Sequence, residues 1–596
     1  MNLLYIAEQI DDKWKISLYT PAYKKGDRHL RENYRPIGML SHLFKLYERH
    51  LLSFAILTVG IIAEQCGGRA GFGSHTLLKR LQLIMQWAAT NKTDLYLAAI
   101  DVKEAYERVW RVGIMYRLWE AGIRGKLWRV IDDILTNTFA RVRTNFGLTS
   151  AFRTEVGIVQ GGVLSAFLFI VFFNPISTAC SKIAPTINDI KLSIMLYMDD
   201  GTSISLTEQQ RHEIMRHVLK WADRWNITIS ITKSAYLTIA ASPFEQQVAK
   251  RILKEVESIK IVGLTLYKGG LHPPPAIKDI LSKVGIRADA LLSSSHGPTL
   301  RFDVLAFLYD KYCLSILAHS RPFIHATSYT ALSFQKAQDR FVQDALKLSP
   351  SACPLLAASE LGIYDFDLTC TRDSLLLHYK LANNSIDTIT PSMLNWKTTP
   401  ELLNSHEMAQ RDLLALGCSS PISYLLKHNY PTYKQLIKDS MHSTQQSRYE
   451  AFLQSCPLVH SHLVATKPCW GIDKALLGLP VADSILIISF RLSHCRPATI
   501  SPTNPRCALC PAPFTSMEHA LWACAGHSVA RTKFCETLRS SYPEISSIFS
   551  PLHERAKTSY ILGGGLTTLQ IPHWVLISRV IAIFLAAVES RNRATV

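Results

Sequence analysis

Three carboxylates stand where short apolar runs end. Asp101 closes the run Leu95–Ile100, and Asp199 and Asp200 lie between the two apolar stretches of 194–206. Apolar runs of this length between turn signals read as buried strands. Asp199-Asp200-Gly201 between two of them reads as a hairpin tip. Strands can hold three such carboxylates rigidly together. They could then bind two divalent cations about 4 Å apart, the arrangement used for in-line phosphoryl transfer. Mg2+ suits it, because that ion takes few protein carboxylates and completes its shell with phosphate and water. An isolated Asp-Asp-Gly is more often a plain turn. Tyr197-Met198-Asp199-Asp200, read as one unit after an apolar strand, outweighs that reading.

A second cluster is made of softer ligands. Cys507, Cys510, His519 and Cys524 have the types and spacing that Zn2+ takes tetrahedrally. The Cys507–Cys510 pair lies in a turn between Pro505 and Pro511, and 518–524 reads as a helical turn. His527 is an alternative ligand. The chain has 13 cysteines, an odd number and mostly scattered, which excludes a disulfide scaffold.

The elements that must position these residues follow from pattern. Helical periodicity covers 40–56, 76–92, 111–138, 163–183 and 207–225, with strand-like runs at 95–101, 194–206, 227–240 and 259–267. Gly269-Gly270-Leu271-His272-Pro273-Pro274-Pro275 marks a boundary. Beyond it, 276–382 reads as helical, the polar and proline-containing 383–406 as a surface connection, and 407–500 as mostly helical. The class is therefore α+β, with a mixed first part and an α-rich remainder.

Composition sets the partner class. The chain has 596 residues, 48% of them hydrophobic, and a net charge of +18. That hydrophobic content excludes a mostly disordered chain, and the charge points to a polyanion, nucleic acid before membrane. No signal peptide is visible in the opening residues. The runs Leu51–Ala63 and Ala166–Phe173 fall short of the ~20 residues that cross a bilayer. Arg579 interrupts Ile571–Val588, which reads as an amphipathic terminal helix. The expectation is a soluble protein of a reducing compartment.

The Tyr-Met-Asp-Asp unit and the blocks around it resemble the reverse transcriptases of non-LTR retrotransposons (the LINE type, jockey- and R1-like). Asn33-Tyr34-Arg35-Pro36-Ile37, Leu40-Ser41 and Lys45-Leu46-Tyr47-Glu48-Arg49 resemble that family's fingers block. Gln65-Cys66-Gly67-Gly68-Arg69 resembles its second block, Asp101 to Tyr106 its first catalytic motif, and Gly157 to Ser165 its Gln-Gly motif. Lys233 fits the lysine after the hairpin, and Gly263-Leu264 the primer-grip hairpin. Several positions depart from the pattern. Gly68 stands for the usual Phe, Glu107 for Asp, and Val159, Gly162 and Ala166 for Pro, Ser and Pro.

The resemblance implies a right-hand polymerase. It places fingers and palm with an antiparallel sheet over 1–270, a helical thumb over 276–382 and a helical connection over 383–500. A CCHC zinc knuckle over 501–530 and a helical tail over 531–596 would follow. It implies Asp101, Asp199 and Asp200 as ligands of two Mg2+ ions, with Mn2+ as a substitute, and Lys233 as a proton donor to pyrophosphate. Arg35, with Lys24 or Lys25, would reach triphosphate oxygens, and Tyr106 would block the ribose 2′-hydroxyl. Gln160 and Gly161 would lie near the nascent base pair, with Arg69, Tyr197 and Met198 at nucleotide or template. Cys507, Cys510, His519 and Cys524 would hold one structural Zn2+.

The implied activity is RNA-directed DNA synthesis by target-primed reverse transcription. Its partners would be element RNA, a DNA primer or target, dNTPs and a separate endonuclease, with no membrane, in nucleus and cytoplasm. No upstream nuclease, restriction-like nuclease or RNase H pattern is visible. The chain thus reads as the polymerase-and-knuckle part of an element or a truncated copy. Two rivals are a weak or inactive nucleic-acid-binding remnant and a group II intron maturase-like protein. The CCHC cluster and the long region after the thumb argue against the second.

Overall fold

The computed structural model describes the chain apart from 1, 25, 240–252, 268–269, 272–273, 295–299, 326–327, 349, 351, 398–402, 456–468, 474–475, 493–508, 511–517, 563–569 and 594–596. It divides into two compact units, Met1–Pro273 with Leu377–Met408, and Pro274–Leu376 with Ala409–Val596.

The first unit is built on two five-stranded sheets. In one, the central strand Leu95–Ile100 pairs antiparallel with both Asp200–Ser205 and Ala235–Ile239. Ile194–Tyr197 continues the sheet beyond Asp200–Ser205, and Lys254–Glu255 pairs parallel at the other edge. The antiparallel centre is what a polymerase palm requires. Side chains of Ser165–Phe173 are buried almost throughout and join Leu196, Ile100 and Trp221 in one core. An apolar stretch over Ser165–Ile183 is long enough to cross a membrane, but it is mostly buried inside the unit. Pro175 opens a second short helix, Pro175–Ala179, so this stretch is a core element in two pieces.

The other sheet runs Tyr34–Met39, Ile16–Tyr23, Thr138–Thr144 and Gly147–Leu148, with Phe152–Thr154 also on Thr138–Thr144. Pattern reading left all five strands out. Pro21 and Pro36 face each other in register, and proline inside a strand argues against a ladder. The ladder tolerates them because Thr138–Thr144 pairs only with 16–19. Pro21 therefore has no second neighbour asking for its missing N–H.

One expectation is overturned. The stretch 383–406 is not a surface connection but belongs to the first unit. Asp387 and Arg80 are both fully buried and joined at 2.7 Å. Arg80 also donates to the Thr390 hydroxyl (2.8 Å) and the Ala63 carbonyl (2.8 Å), and Asp387 accepts the N–H groups of Ile389 and Thr390. A polar segment looks solvated in sequence, but here its polarity satisfies one buried arginine.

The second unit is helical where described. Pro274–Ser293, Tyr329–Ala345, Tyr430–Ser455, Val481–Arg491, Ser528–Ser541 and Gln570–Arg593 are its longer helices. Trp574, Ile577, Ile581 and Leu585 of the terminal helix are buried, while Arg579 reaches out to Asp483 at 2.9 Å. That is the amphipathic helix read from sequence.

Candidate active site

Asp101 leaves the end of the central strand with its backbone held on both sides. Its N–H donates to the Ser234 hydroxyl (3.0 Å), and its carbonyl accepts the N–H of Ser230 (2.8 Å). The neighbouring hairpin turns through Met198 and Asp199, closed by the Tyr197–Asp200 pair. Gly201 pairs with Ile100, so one register step further along the ladder Asp200 stands opposite Asp101. Directly opposed residues of antiparallel strands lie about 5 Å apart. Asp199 sits at the tip beside them.

The electrostatics follow from that register. The Asp200 carboxyl is pushed up to about 6 by desolvation, then by the charges of Asp199 and Asp101. Asp199 is raised by desolvation and by Asp101, against the favourable charge of Arg35. The Tyr106 hydroxyl is pushed up to about 12 by desolvation, then by Asp199. Its ring stacks on Phe169 at 5.0 Å and 11°. Asp101, Asp199, Asp200, Arg35 and Tyr106 therefore share one place. Like charges crowded and partly desolvated are the environment a divalent cation relieves, and the three carboxylates fit such a group.

The remaining expected residues take different places. Gln160 donates to the Glu107 carboxylate at 2.7 Å, and its carbonyl accepts the Gly38 N–H at 2.6 Å. Gly161 has φ +126°, and a Cβ there would lie 2.4 Å from the Gly38 carbonyl, so only glycine lets the loop meet that strand. Lys233 is exposed, in a turn whose ends, Ser230 and Ser234, both bond Asp101. Lys24 lies at the end of a finger strand, with its N–H on the Asn33 carbonyl; Lys25 lies outside the described residues. Arg69 turns into its own loop instead. It donates to the carbonyls of Ile62 (2.8 Å) and Gln65 (3.1 Å) and lies 4.0 Å from the Phe72 ring centroid. Tyr197 and Met198 form the hairpin wall and tip.

Two residues carry more than sequence reasoning gave them. Gln65 is fully buried. Its Oε1 accepts the N–H of Met198 (3.0 Å) and of Gly67 (2.9 Å), and its Nε2 reaches the Met198 carbonyl at 3.4 Å. Met198 has φ +59°, where a side chain costs about 1–2 kcal/mol. The amide thus holds the strained turn that aims Asp199. The quoted Gln65 block was the available signal. Glu48 is the other. Its buried carboxylate accepts the N–H groups of Val163 (3.0 Å) and Leu164 (3.4 Å), ahead of the core helix, and desolvation raises its pKa. Gly162 leaves it room, since a Cβ there would lie 3.0 Å from Glu48 Oε1 and 2.5 Å from Ser165 Oγ. Gly68 has a similar reason, with φ +62° and a would-be Cβ 2.6 Å from Ile170.

In the second unit, Cys510, His519 and Cys524 bring their ligand atoms within 4.8 Å of one another. Cys510 Sγ lies 3.3 Å from His519 Nε2. A tight turn, His519–Ala523, ends with the Cys524 N–H on the His519 carbonyl at 2.7 Å, and Arg531 holds the Cys524 carbonyl at 3.0 Å. Two thiols and an imidazole this close offer ligand types that a zinc-like ion takes. Cys507 lies outside the described residues, and His527 is buried nearby in sequence.

Residues 23–266 match the family model of reverse transcriptase (RNA-dependent DNA polymerase). The chain is 26% identical over 272 residues to the RNA-directed DNA polymerase from mobile element jockey of Drosophila melanogaster, covering 42% of this chain and 29% of that protein. It is 27% identical over 286 residues to a probable RNA-directed DNA polymerase from transposon BS of the same organism, covering 45% of this chain and 31% of that one. The chain thus spans less than a third of the length of these relatives. Apo telomerase of Candida tropicalis overlays with a TM-score of 0.34 at 12% identity, over 64% of this chain and 69% of that one. Residues 23–266 therefore match a reverse transcriptase domain, and the relatives that share it are RNA-directed DNA polymerases of mobile elements.

Proposed function

We propose that the chain is the RNA-directed DNA polymerase of a non-LTR mobile element, copying element RNA from a DNA primer end. The observation that carries this is the meeting of Asp101, Asp199 and Asp200 with Arg35 and Tyr106 at one end of an antiparallel sheet. Asp101, Asp199 and Asp200 would hold two Mg2+ ions, or Mn2+, which when bound lower the charge of the triphosphate and activate the primer hydroxyl. Arg35 binds triphosphate oxygens through charge-assisted bonds. Tyr106, fixed by its stack on Phe169, stands where a ribose 2′-hydroxyl would go. Gln160 and Gly161 support the nascent pair. Lys233 returns a proton to pyrophosphate from a turn anchored on Asp101. Arg69 acts on its own loop.

Residues 1–270 would be fingers and palm and 276–382 the thumb, with 383–406 working beside the palm. Cys510, His519 and Cys524, with Cys507, hold one Zn2+ whose module binds nucleic acid. A separate endonuclease supplies the nick for target priming, and the protein works in nucleus and cytoplasm. The experiment is extension of a DNA primer on an RNA template by the purified chain with dNTPs and Mg2+. Extension on RNA supports the reading; RNA binding without extension would leave a non-enzymatic remnant.

A further inference from the structure

The segment 138–154 carries three arginines and no acidic residue. It forms an arm, Thr138–Thr144 folded on Gly147–Leu148 and Phe152–Thr154. Strand alternation puts Phe139, Arg141 and Arg143 on one face. Their cross-strand partners join that face, Arg153 opposite Phe139 and Leu148 opposite Arg143. Arg141 and Arg143 are exposed. Phe146 at the tip is fully exposed, at 101%.

At the root of the arm lies a cavity of about 540 Å3. Tyr116, Trp119 and Trp128 give it aromatic walls, and Asp132, Asn137, Arg153 and Glu155 a polar end, where Arg153 lies 3.8 Å from the Glu155 carboxylate and donates to Asn137 Oδ1 at 3.3 Å. Trp128 is fixed by its Nε1–H on the Met115 carbonyl (2.9 Å), and Trp119 stands edge-on to it at 6.0 Å. Trp119 and Tyr116 are nonetheless 48% and 53% exposed. Arg153 belongs to both places, lining the cavity and sharing the arginine face of the arm.

We propose that arm and cavity form a binding site for single-stranded nucleic acid, separate from the carboxylate centre. Phosphates run along Arg141, Arg143 and Arg153, and one unpaired base enters the cavity against the aromatic walls. A base offers a flat face for stacking, and amino hydrogens at its edge suit carboxylate and amide acceptors such as Asp132 and Asn137. An apolar protein helix would fill the aromatic walls as well. It would gain nothing from the exposed Arg141 and Arg143 running away from them, and a phosphate chain does.

The root is also stitched to the polymerase loop. Arg111 donates to the Leu135 and Thr154 carbonyls and the Thr138 hydroxyl, each at 2.8 Å, and to the Gly157 carbonyl at 2.7 Å. A strand held on the arm is therefore held in fixed relation to the loop that carries Gln160.

The site rests on the reading that the chain handles nucleic acid, and one titration separates the two. Anisotropy of a labelled single-stranded RNA and of a blunt RNA–DNA hybrid is measured on the full chain, on Trp119→Ala and on Arg141→Ala with Arg143→Ala. Trp119→Ala should weaken the single strand about 10-fold and leave the hybrid unchanged. The arginine pair should lower the log–log salt slope for the single strand by about 1.4. Trp119→Phe should restore most of the affinity. Equal loss on both ligands, or no loss on the single strand, would overturn the site and leave the cavity to a helical partner. A native chain that binds neither ligand would instead overturn the polymerase reading.

Discussion

Replacing Gln65 by alanine should cripple catalysis without removing any group that touches substrate. The substitution deletes the acceptor for the Met198 and Gly67 N–H groups, at 3.0 and 2.9 Å. Each such bond contributes about 1 kcal/mol net. Met198 keeps its φ of +59°, whose cost of about 1–2 kcal/mol is present with or without the glutamine. The turn therefore loses about 2 kcal/mol of preference for the geometry that aims Asp199, which corresponds to ~30-fold in rate. Single-turnover primer extension should show that loss in the chemical step, with KM for dNTP little changed, because Arg35 stays in place. Met198→Gly in the Gln65→Ala background should recover about 1 kcal/mol, several-fold in rate, since glycine takes positive φ freely. Thermal melting of each variant separates this from general unfolding. Full extension by folded Gln65→Ala, or no recovery in the double variant, would refute the reasoning.

Three further outcomes are expected. Asp387→Ala leaves Arg80 buried without its carboxylate and should cost about 3–5 kcal/mol in urea unfolding. His378 is buried against His406 and near Lys79, and its pKa is pushed down to about 3, first by desolvation and then by those two neighbours. The unfolded chain therefore binds a proton below about 6.5 that the folded one refuses. Stability is complete above that pH and falls as pH drops toward 3, by ~2 kcal/mol at pH 5. His378→Gln should flatten that difference in urea midpoints between neutral and mildly acidic buffer. Cys510→Ser with Cys524→Ser should lower zinc content by about one ion per chain, read by metal analysis. Extension on a generic template should survive, because Cys510, His519 and Cys524 lie in the second unit and Asp101, Asp199 and Asp200 in the first.

The carboxylate centre was legible because its signals are local. An apolar run ending in Asp101 and a hairpin around Asp199 and Asp200 are short-range patterns, and their register follows from one strand pairing. The helices were equally plain, since Glu208–Arg224 and Gln570–Arg593 repeat their apolar residues at helical spacing. What failed depends on partners distant in sequence. The finger strands hide behind Pro21, Pro36 and Gly38, which become acceptable only beside particular neighbours. The burial of Asp387 depends on Arg80, 307 residues earlier. The two carbonyls that one nitrogen of Arg69 reaches, those of Ile62 and Gln65, are set by the fold of its loop and not by its motif. The departures at Gly68 and Gly162 are explained by crowding from Ile170 and Glu48, which no local pattern shows.

The proposed activity places the making of DNA on an RNA template at the carboxylates of 101, 199 and 200. The direct measurement is primer extension by the purified chain and by Asp199→Asn, with RNA binding followed on the same preparations. Native protein should extend the primer, and Asp199→Asn should bind RNA nearly as well while extending at least ~100-fold more slowly, a barrier increase of ~3 kcal/mol. Equal extension by both proteins would contradict the account.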